Sequence, residues 1–463
     1  MDTKNSDALQ RLSKAIAIPT ESSDDSPSER AQFKAFHDFL EESFPLFHNT
    51  TTKEVVREFA LMYKWEGSDS AMSEIDEEGI DKKSLPFAML AHMDVVGIEE
   101  GTEKYWEFEP YSGKLTEEFV LGRGALDDKN SLVGIMEAAE QLISEGYKPK
   151  RDIYFCFSHN EEGLTGGPDS GAIGMANILS ERGVRFEFVL DEGGAVITDS
   201  FMGLDKPIAT IGLAEKGYVD IKVTVKDAGG HSSKPPNETA ITKLANLIVN
   251  YKKLNDRNVV FTDTLLMTLK AVGKNKKGLL GFVLRHPKAF LPIVKKQLLD
   301  GEQTSAMIRT SVAPTVLRSG REPNVMPQIA EAIFNVRTIP GETSDDIEAR
   351  IKEAAGGDTK YSLEYITNSP SLDETPKDTD TYRLLSKLTE DIHGAIPLPY
   401  LVIAMTDSRE YKNISDEIYR FYPFAMSFEE LDTIHNTSER IKVSSYLDGV
   451  EFYKRFIAES GEK

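Results

Sequence analysis

The chain holds one cysteine in 463 residues, Cys156. A lone cysteine forms no intrachain disulfide, so the fold must stand on its packed core. Cys156 lies inside the apolar run Ile153–Phe157. It reads as buried packing rather than a reactive thiolate, because no basic neighbour is placed to lower its pKa. No apolar run is long enough to cross a bilayer. The first twenty residues are polar and lack the apolar core of a secretion signal. Positive charge is scarce as well: 54 Lys and Arg face 76 Asp and Glu, a formal net charge of −22. A phosphate-backbone binder needs a basic face, and an anionic membrane attracts one. Neither a nucleic-acid nor a membrane partner is therefore expected. A cytoplasmic protein with a solvated acidic surface is the expectation.

Hydrophobic residues make up 40% of the chain, enough for ordinary globular cores, and the length suits two domains better than one. Leu9, Leu12, Ala15 and Ile16 recur at helical spacing. Ser26-Pro27-Ser28-Glu29 has the spacing of a helix start, followed by an apolar stripe of Phe33, Phe36, Leu40 and Phe44. Lys53–Trp65 reads as strand material and Ser68–Lys83 as a surface loop. A short buried strand leads into Leu90–Gly97. Trp106 lies in the loop beyond it and suits either a pocket wall or packing. Leu132, Ile135, Met136, Ala139, Leu142 and Ile143 share a helical face. Asp152–Ser158 is the next buried strand, a helix is expected near Ser170–Arg182, and Phe186–Leu190 is a further strand. This alternation predicts a three-layer α/β/α domain with a mostly parallel sheet.

Beyond Leu213 the pattern changes. Gly217–Val225 alternates like a half-exposed strand and Thr239–Lys253 is an amphipathic helix. Val312–Arg318 and Ile329–Val336 look like paired strands, Ser344–Ala355 like a helix and Tyr361–Thr367 like a last strand. That β-α-β-β-α-β order predicts a smaller α+β, ferredoxin-like domain inserted in the first. An extra basic and apolar helical segment, about Thr262–Leu299, is assigned to packing or an oligomer contact. Helix and strand alternate again at Thr379–Ile392, Leu398–Ala404 and Ser438–Glu459. The expected boundaries are 1–213 and 369–463 for the first domain and 214–368 for the insertion.

His92 and Asp94 are two apart, so on extended chain they share one face. A histidine beside a carboxylate suits a metal ligand and its supporting partner. His92, Glu161, Glu162 and Asp191 each fall just past the end of a predicted strand, and Asp127 sits in a glycine-rich loop before a helix. Open α/β sheets bind ligands in that crevice. Several carboxylates gathered there need compensation, which a divalent metal supplies.

Six motifs follow one another in a telling order. They are Ala91-His92-Met93-Asp94, Gly122-Arg123-Gly124-Ala125-Leu126-Asp127-Asp128-Lys129, Asn160-Glu161-Glu162-Gly163, Leu190-Asp191-Glu192-Gly193, Gly230-His231-Ser232-Ser233 and a late His435. In this the chain resembles the M20 metallopeptidases, in the branch of carboxypeptidase S, aminoacylase-1 and related dipeptidases. The resemblance implies two divalent ions, zinc with cobalt or manganese as alternatives, and an inserted lid through which the protein forms a homodimer. It implies that Asp127 bridges the metals, that His92 and Asp191 complete one site, and that Glu162 and His435 complete the other. Asp94 would orient His92, and Glu161 would be the general base. His231, by its residues alone as readily a turn histidine, would donate to the oxyanion. Asn324 and Arg337 would grip substrate, and Arg409, in Thr406-Asp407-Ser408-Arg409, is a second candidate for binding its carboxylate. Asn436 after His435 and Asn130 after Lys129 stand where the family commonly has glycine. His37, His48, His286 and His393 carry no motif.

The function implied is hydrolysis of an amide or peptide bond next to a free carboxylate, in a small peptide or an N-acyl amino acid. The alternatives are a tripeptidase-type aminopeptidase, which would want an acidic group for the substrate amine, and an inactive metal-binding protein.

Overall fold

The computed structural model describes residues 3–22, 26–69, 85–163, 170–201, 203–357, 359–376 and 378–462, without the side chains of 302 and 303. Most of the loop expected over Ser68–Lys83 lies outside the described residues. The chain divides into two compact units, one comprising Met1–Leu213, Thr375–Leu398 and Thr406–Lys463, the other Ala214–Glu374 and Pro399–Met405.

The first unit holds most of an eight-stranded mixed sheet. Its strands run in the order Thr52–Val56, Ala60–Trp65, Ile153–Ser158, Phe87–His92, Val189–Ile197, Ile418–Met426, Ile208–Glu215 and Ile396–Val402. The four central strands, from Ile153–Ser158 to Ile418–Met426, are mutually parallel. Every residue of Phe87–His92 is buried, as a strand covered on both faces requires. Alternate residues serve opposite layers. Ala88, Leu90 and Cys156 pack with Met175, Ala176 and Leu179 of the helix Gly171–Glu181. Phe87 stacks on Phe188 at 4.8 Å, and Phe188 meets Phe456 of the helix Val443–Gly461 at 5.5 Å. Helices on both faces make the three-layer α/β/α arrangement.

The strand material expected over Lys53–Trp65 is a hairpin: Arg57 and Glu58 take positive φ angles of 49° and 80°, and the chain reverses there. One strand expectation is corrected. The strand expected over Phe186–Leu190 starts at Val189 and continues to Ile197. The helix start at Pro27 is capped as its spacing suggests, Ser26 Oγ accepting the Glu29 amide at 3.2 Å. Trp106 is packed: it is buried, with the Arg123 guanidinium 5.3 Å above its ring. Burial pushes the Cys156 thiol up to about 12, consistent with an inert core residue.

The second unit holds a four-stranded antiparallel sheet in the order Ser311–Ser319, Ile329–Arg337, Tyr218–Lys226, Tyr361–Ser369. Val219, Ile221, Val223 and Val225 all face one core. Leu244, Leu247 and Tyr251 of the helix Ala240–Arg257 close it, with Ile347 and Ile351 of Ser344–Ala355. The extra segment forms the helices Asp263–Asn275, Gly278–Arg285 and Leu291–Leu299, then the short Glu302–Ala306. No helix among the described residues is long and apolar enough to cross a membrane.

Two of the motif-free histidines shape the acid response of the first unit. His37 Nε2–H donates to the Phe59 carbonyl at 2.9 Å, and burial holds its pKa near 4 against 6.5. Burial likewise lowers His393 to about 4. The unfolded chain takes these protons below about 6.5 and the folded chain only below about 4, so their stabilisation is full above 6.5 and is lost as pH falls toward 4. Thermal unfolding followed across that window should show a smaller fall in melting temperature for the double variant His37→Gln/His393→Gln than for the parent.

Candidate metal centre

His92 ends its strand at the carboxyl edge of the parallel core, pairing in register with Ser158. Its imidazole is 2.9 Å from Asp127 Oδ1 through Nε2. On the other side Nδ1 lies 3.1 Å from the Asp94 backbone oxygen and 3.4 Å from Asp94 Oδ1. Burial opposes a charged ring here, but hydrogen bonds to Asp127, Asp94 and Glu192 outweigh it and hold the His92 pKa well above its ordinary value.

Asp94 is fully buried and ties three segments together. Its Oδ1 accepts the Glu161 amide at 3.1 Å. Its Oδ2 accepts the Glu162 amide at 3.0 Å and Ser22 Oγ–H at 2.6 Å. One carboxylate thus sets both the His92 ring and the backbone carrying the glutamate pair.

Asp127 lies between the strand Phe119–Leu121 and the helix Lys129–Ser144, and its peptide bond to Asp128 is cis. Its two oxygens serve different histidines, Oδ1 facing His92 and Oδ2 standing 2.9 Å from His435 Nε2. His435 Nε2 is also 2.7 Å from Glu162 Oε1. Hydrogen bonds to Asp127 and Glu162 raise His435 to about 10. His435 takes a left-handed φ of 58°, a strained conformation for a residue with a Cβ.

A buried glutamate shapes the Asp127 loop. Glu439 Oε1 accepts amides from Gly124 at 3.1 Å, Leu126 at 2.7 Å and Asp127 at 3.2 Å, and Oε2 takes Arg123 Nη1 at 2.6 Å. The strand Arg440–Lys442 pairs with Phe119–Leu121 and brings this segment alongside the loop.

Asp191 and Glu192 sit on opposite sides of one strand, as alternation demands. Asp191 Oδ2 accepts the Ser408 amide at 2.8 Å. Glu192 Oε1 is the one that comes to His92 Nε2, at 3.5 Å. The glycines that follow belong to this geometry: Gly193 has φ 125°, and a Cβ on Gly194 would fall 1.8 Å from the Thr210 carbonyl oxygen.

The surplus of acid shows in the carboxyl pKa values. Glu161 is pushed well above its ordinary value by burial, with Glu192, Asp407 and Glu162 adding to it. Burial raises Glu192 to about 8 and Asp407 to about 7. Asp128 Oδ1 is buried without a hydrogen-bond partner. Two sets of donors lie close enough to share an ion, His92 with Asp127 and Glu162, and His92 with Asp128 and Glu192, each within 4.8 Å.

The structure therefore brings together His92, Asp94, Asp127, Glu161, Glu162 and His435. It puts Glu192 beside His92, while one oxygen of Asp191 is taken by the Ser408 amide. Sequence reasoning also missed Asp128, Asp407 and Glu439; the acidic pair Asp127-Asp128 and the Glu439-Arg440-Ile441 frame were the available signals. Asp407 accepts the Ser158 hydroxyl. Arg409, in the same short helix Asp407–Asn413, is largely buried and 3.9 Å from Glu410.

In the second unit, His231 is exposed on the short strand Gly230–His231, paired with Val325–Met326. Its Nδ1 accepts the Ser233 amide at 3.1 Å. The Asn324 carbonyl accepts the Ser232 amide at 3.1 Å, so these two motifs meet. Arg337 lies with its guanidinium 4.2 Å over the Tyr218 ring, and its Nε donates to Asn335 Oδ1 at 3.3 Å.

Comparison with known proteins defines the class first. The profile of "Peptidase family M20/M25/M40" matches residues 88–459, and the chain belongs to that family. Among relatives, "Probable carboxypeptidase S-like 2" of Dictyostelium discoideum is 32% identical over 457 residues, covering 97% of this chain and 84% of its own. "N-fatty-acyl-amino acid synthase/hydrolase PM20D1" of Mus musculus is 31% identical, covering 97% and 86%. The M20 family metallo-carboxypeptidase Sso-CP2 from Sulfolobus solfataricus shares the fold at a TM-score of 0.66 and 14% identity, with all of both chains covered.

Glu439 generates a prediction. Replacing it by Gln leaves the Arg123 guanidinium buried without its counterion, a change that costs about 3–5 kcal/mol. Glu439→Gln should lower unfolding stability by that order in denaturant titration and should loosen the Asp127 loop, read as faster metal loss to a chelator.

Proposed function

We propose that the protein is a two-metal hydrolase of amide or peptide bonds next to a free carboxylate. The observation that carries this reading is the shared Asp127, whose two oxygens face different histidines amid carboxyls with too little positive charge to balance them. Such a donor set, with the unpartnered Asp128 Oδ1 at its edge, fits divalent cations. In this reading Asp127 is common to both ions, His92 and Glu192 hold one, and Glu162 and His435 hold the other. Glu192 thus takes the part expected of Asp191. Nitrogen and oxygen donors of this kind suit zinc, and cobalt or manganese as well. When bound, the ions supply acidification of water and polarisation of the scissile carbonyl.

The chain's own groups do the rest. Glu161, next to a ligand but outside the donor sets, takes the proton of the attacking water and returns it to the leaving amine. A carboxyl whose pKa is lifted by burial is suited to both transfers. Asp94 keeps the His92 ring turned and anchors the Glu161 amide. Arg337, preset by Tyr218 and Asn335, and Arg409 are the proposed forks for the substrate carboxylate, with Asn324 and His231 as further polar contacts. The names of the relatives, a carboxypeptidase and an N-acyl amino acid hydrolase, support a substrate of this class.

Glu161→Gln should cut kcat by about 10²–10⁴, while metal content by mass spectrometry stays at the parent level. Undiminished turnover would refute the base assignment. A second test compares dipeptides and N-acyl amino acids with free and with amidated carboxyl termini, using chelated protein as control. Cleavage should need both the metal and the free carboxylate. A preference for a free substrate amine, indifferent to the carboxylate, would favour a tripeptidase-type aminopeptidase.

A further inference from the structure

The −22 net charge conceals a local reversal. Between 264 and 299 there are eight Lys and Arg and not one Asp or Glu. These residues form the helices Asp263–Asn275, Gly278–Arg285 and Leu291–Leu299 of the second unit. The middle helix, Gly-Leu-Leu-Gly-Phe-Val-Leu-Arg, is apolar on both sides. One side is spent on the core: Gly281, Val283 and Leu284 are buried, and the helix lies so close to its neighbour that a Cβ on Gly273 would meet the Leu284 carbonyl carbon at 2.8 Å. The Arg285 guanidinium donates to the Gly273 carbonyl at 2.8 Å, which fixes the helix in that position.

The first turn, with Phe282 just after it, is left in solvent. Leu279 is 79% exposed, Leu280 48% and Phe282 46%, and Ile293 on the next helix is 61% exposed. An ordinary surface helix puts polar residues there. Lys274, Lys277, Lys288, Lys295 and Lys296 are all exposed around this tip.

We propose that this helical insertion docks on an anionic lipid bilayer, with Leu279, Leu280 and Phe282 entering the headgroup–acyl boundary and the lysines resting on acidic headgroups. Charge complementarity selects this occupant. The chain's own surface is acidic, so an anionic bilayer repels most of it and attracts this patch. A second copy offers either its acidic surface, which has no apolar phase for the leucines and Phe282, or its own patch, which would set lysine against lysine. A bilayer offers both together, and interfacial binding rests on the pairing of buried apolar area with charge attraction. The proposal is independent of the hydrolase reading.

The test uses the full chain with vesicles of phosphatidylcholine, with and without phosphatidylserine. The protein should sediment with the phosphatidylserine vesicles only, and high salt should release it. Leu279→Glu/Leu280→Glu, at exposed positions, should leave the melting temperature unchanged and weaken vesicle binding by about a hundredfold. Phe282→Trp gives a direct readout, since Trp65 and Trp106 are already buried: its emission should move to shorter wavelength on adding phosphatidylserine vesicles. Failure to sediment with those vesicles, equal binding to both compositions, or binding untouched by the double variant each overturns the proposal. So does sedimentation velocity showing that the double variant abolishes only self-association, which would make the patch a contact between copies.

Discussion

The organising constraint of the first unit is a surplus of buried acid around two imidazoles. Asp127, Asp128, Glu161, Glu162, Glu192 and Asp407 crowd the edge of the parallel core, and His92 and His435 are the bases that face them. Carboxylates brought this close raise one another's proton affinity unless a cation intervenes. Folding energy from the surrounding layers, not from the site, must hold such a cluster together. The site is therefore a load placed on the sheet, one that a cation would relieve.

Two further buried carboxylates are spent on positioning. Asp94 accepts two backbone amides and a hydroxyl and faces the His92 ring. Glu439 accepts three amides and the Arg123 guanidinium. Each links segments far apart in sequence, and each is satisfied on nearly every lone pair. A fully satisfied buried polar group confers a unique geometry, where a partly satisfied one would cost stability.

Much is legible in the chain itself. Short buried strands alternating with amphipathic helices predicted the layered α/β unit, and the alternation of Gly217–Val225 marked a half-covered sheet in the insertion. Ordered motifs picked out His92, Asp94, Asp127, Glu161, Glu162 and His435, which the fold brings together. Charge summed over the whole chain was a poor guide, because it averages away the basic, apolar stretch at 264–299. The reversal at Arg57-Glu58 was also hidden: neither residue carries the usual chemistry of a tight turn, and cross-strand pairing overrode the local preference.

The choice between Asp191 and Glu192 divides the two sources of information most clearly. The sequence by itself determined that an acidic pair would stand at a strand near the glycines, and that His, Asp and Glu would supply the chemistry. Only tertiary structure decided which member of the pair faces His92. Neighbours on a strand point to opposite faces, and which face is inward depends on register against Phe87–His92 and on Ser408 waiting on the other side. Residue type and order are written in the chain, whereas direction is a property of how strands from distant parts of it meet.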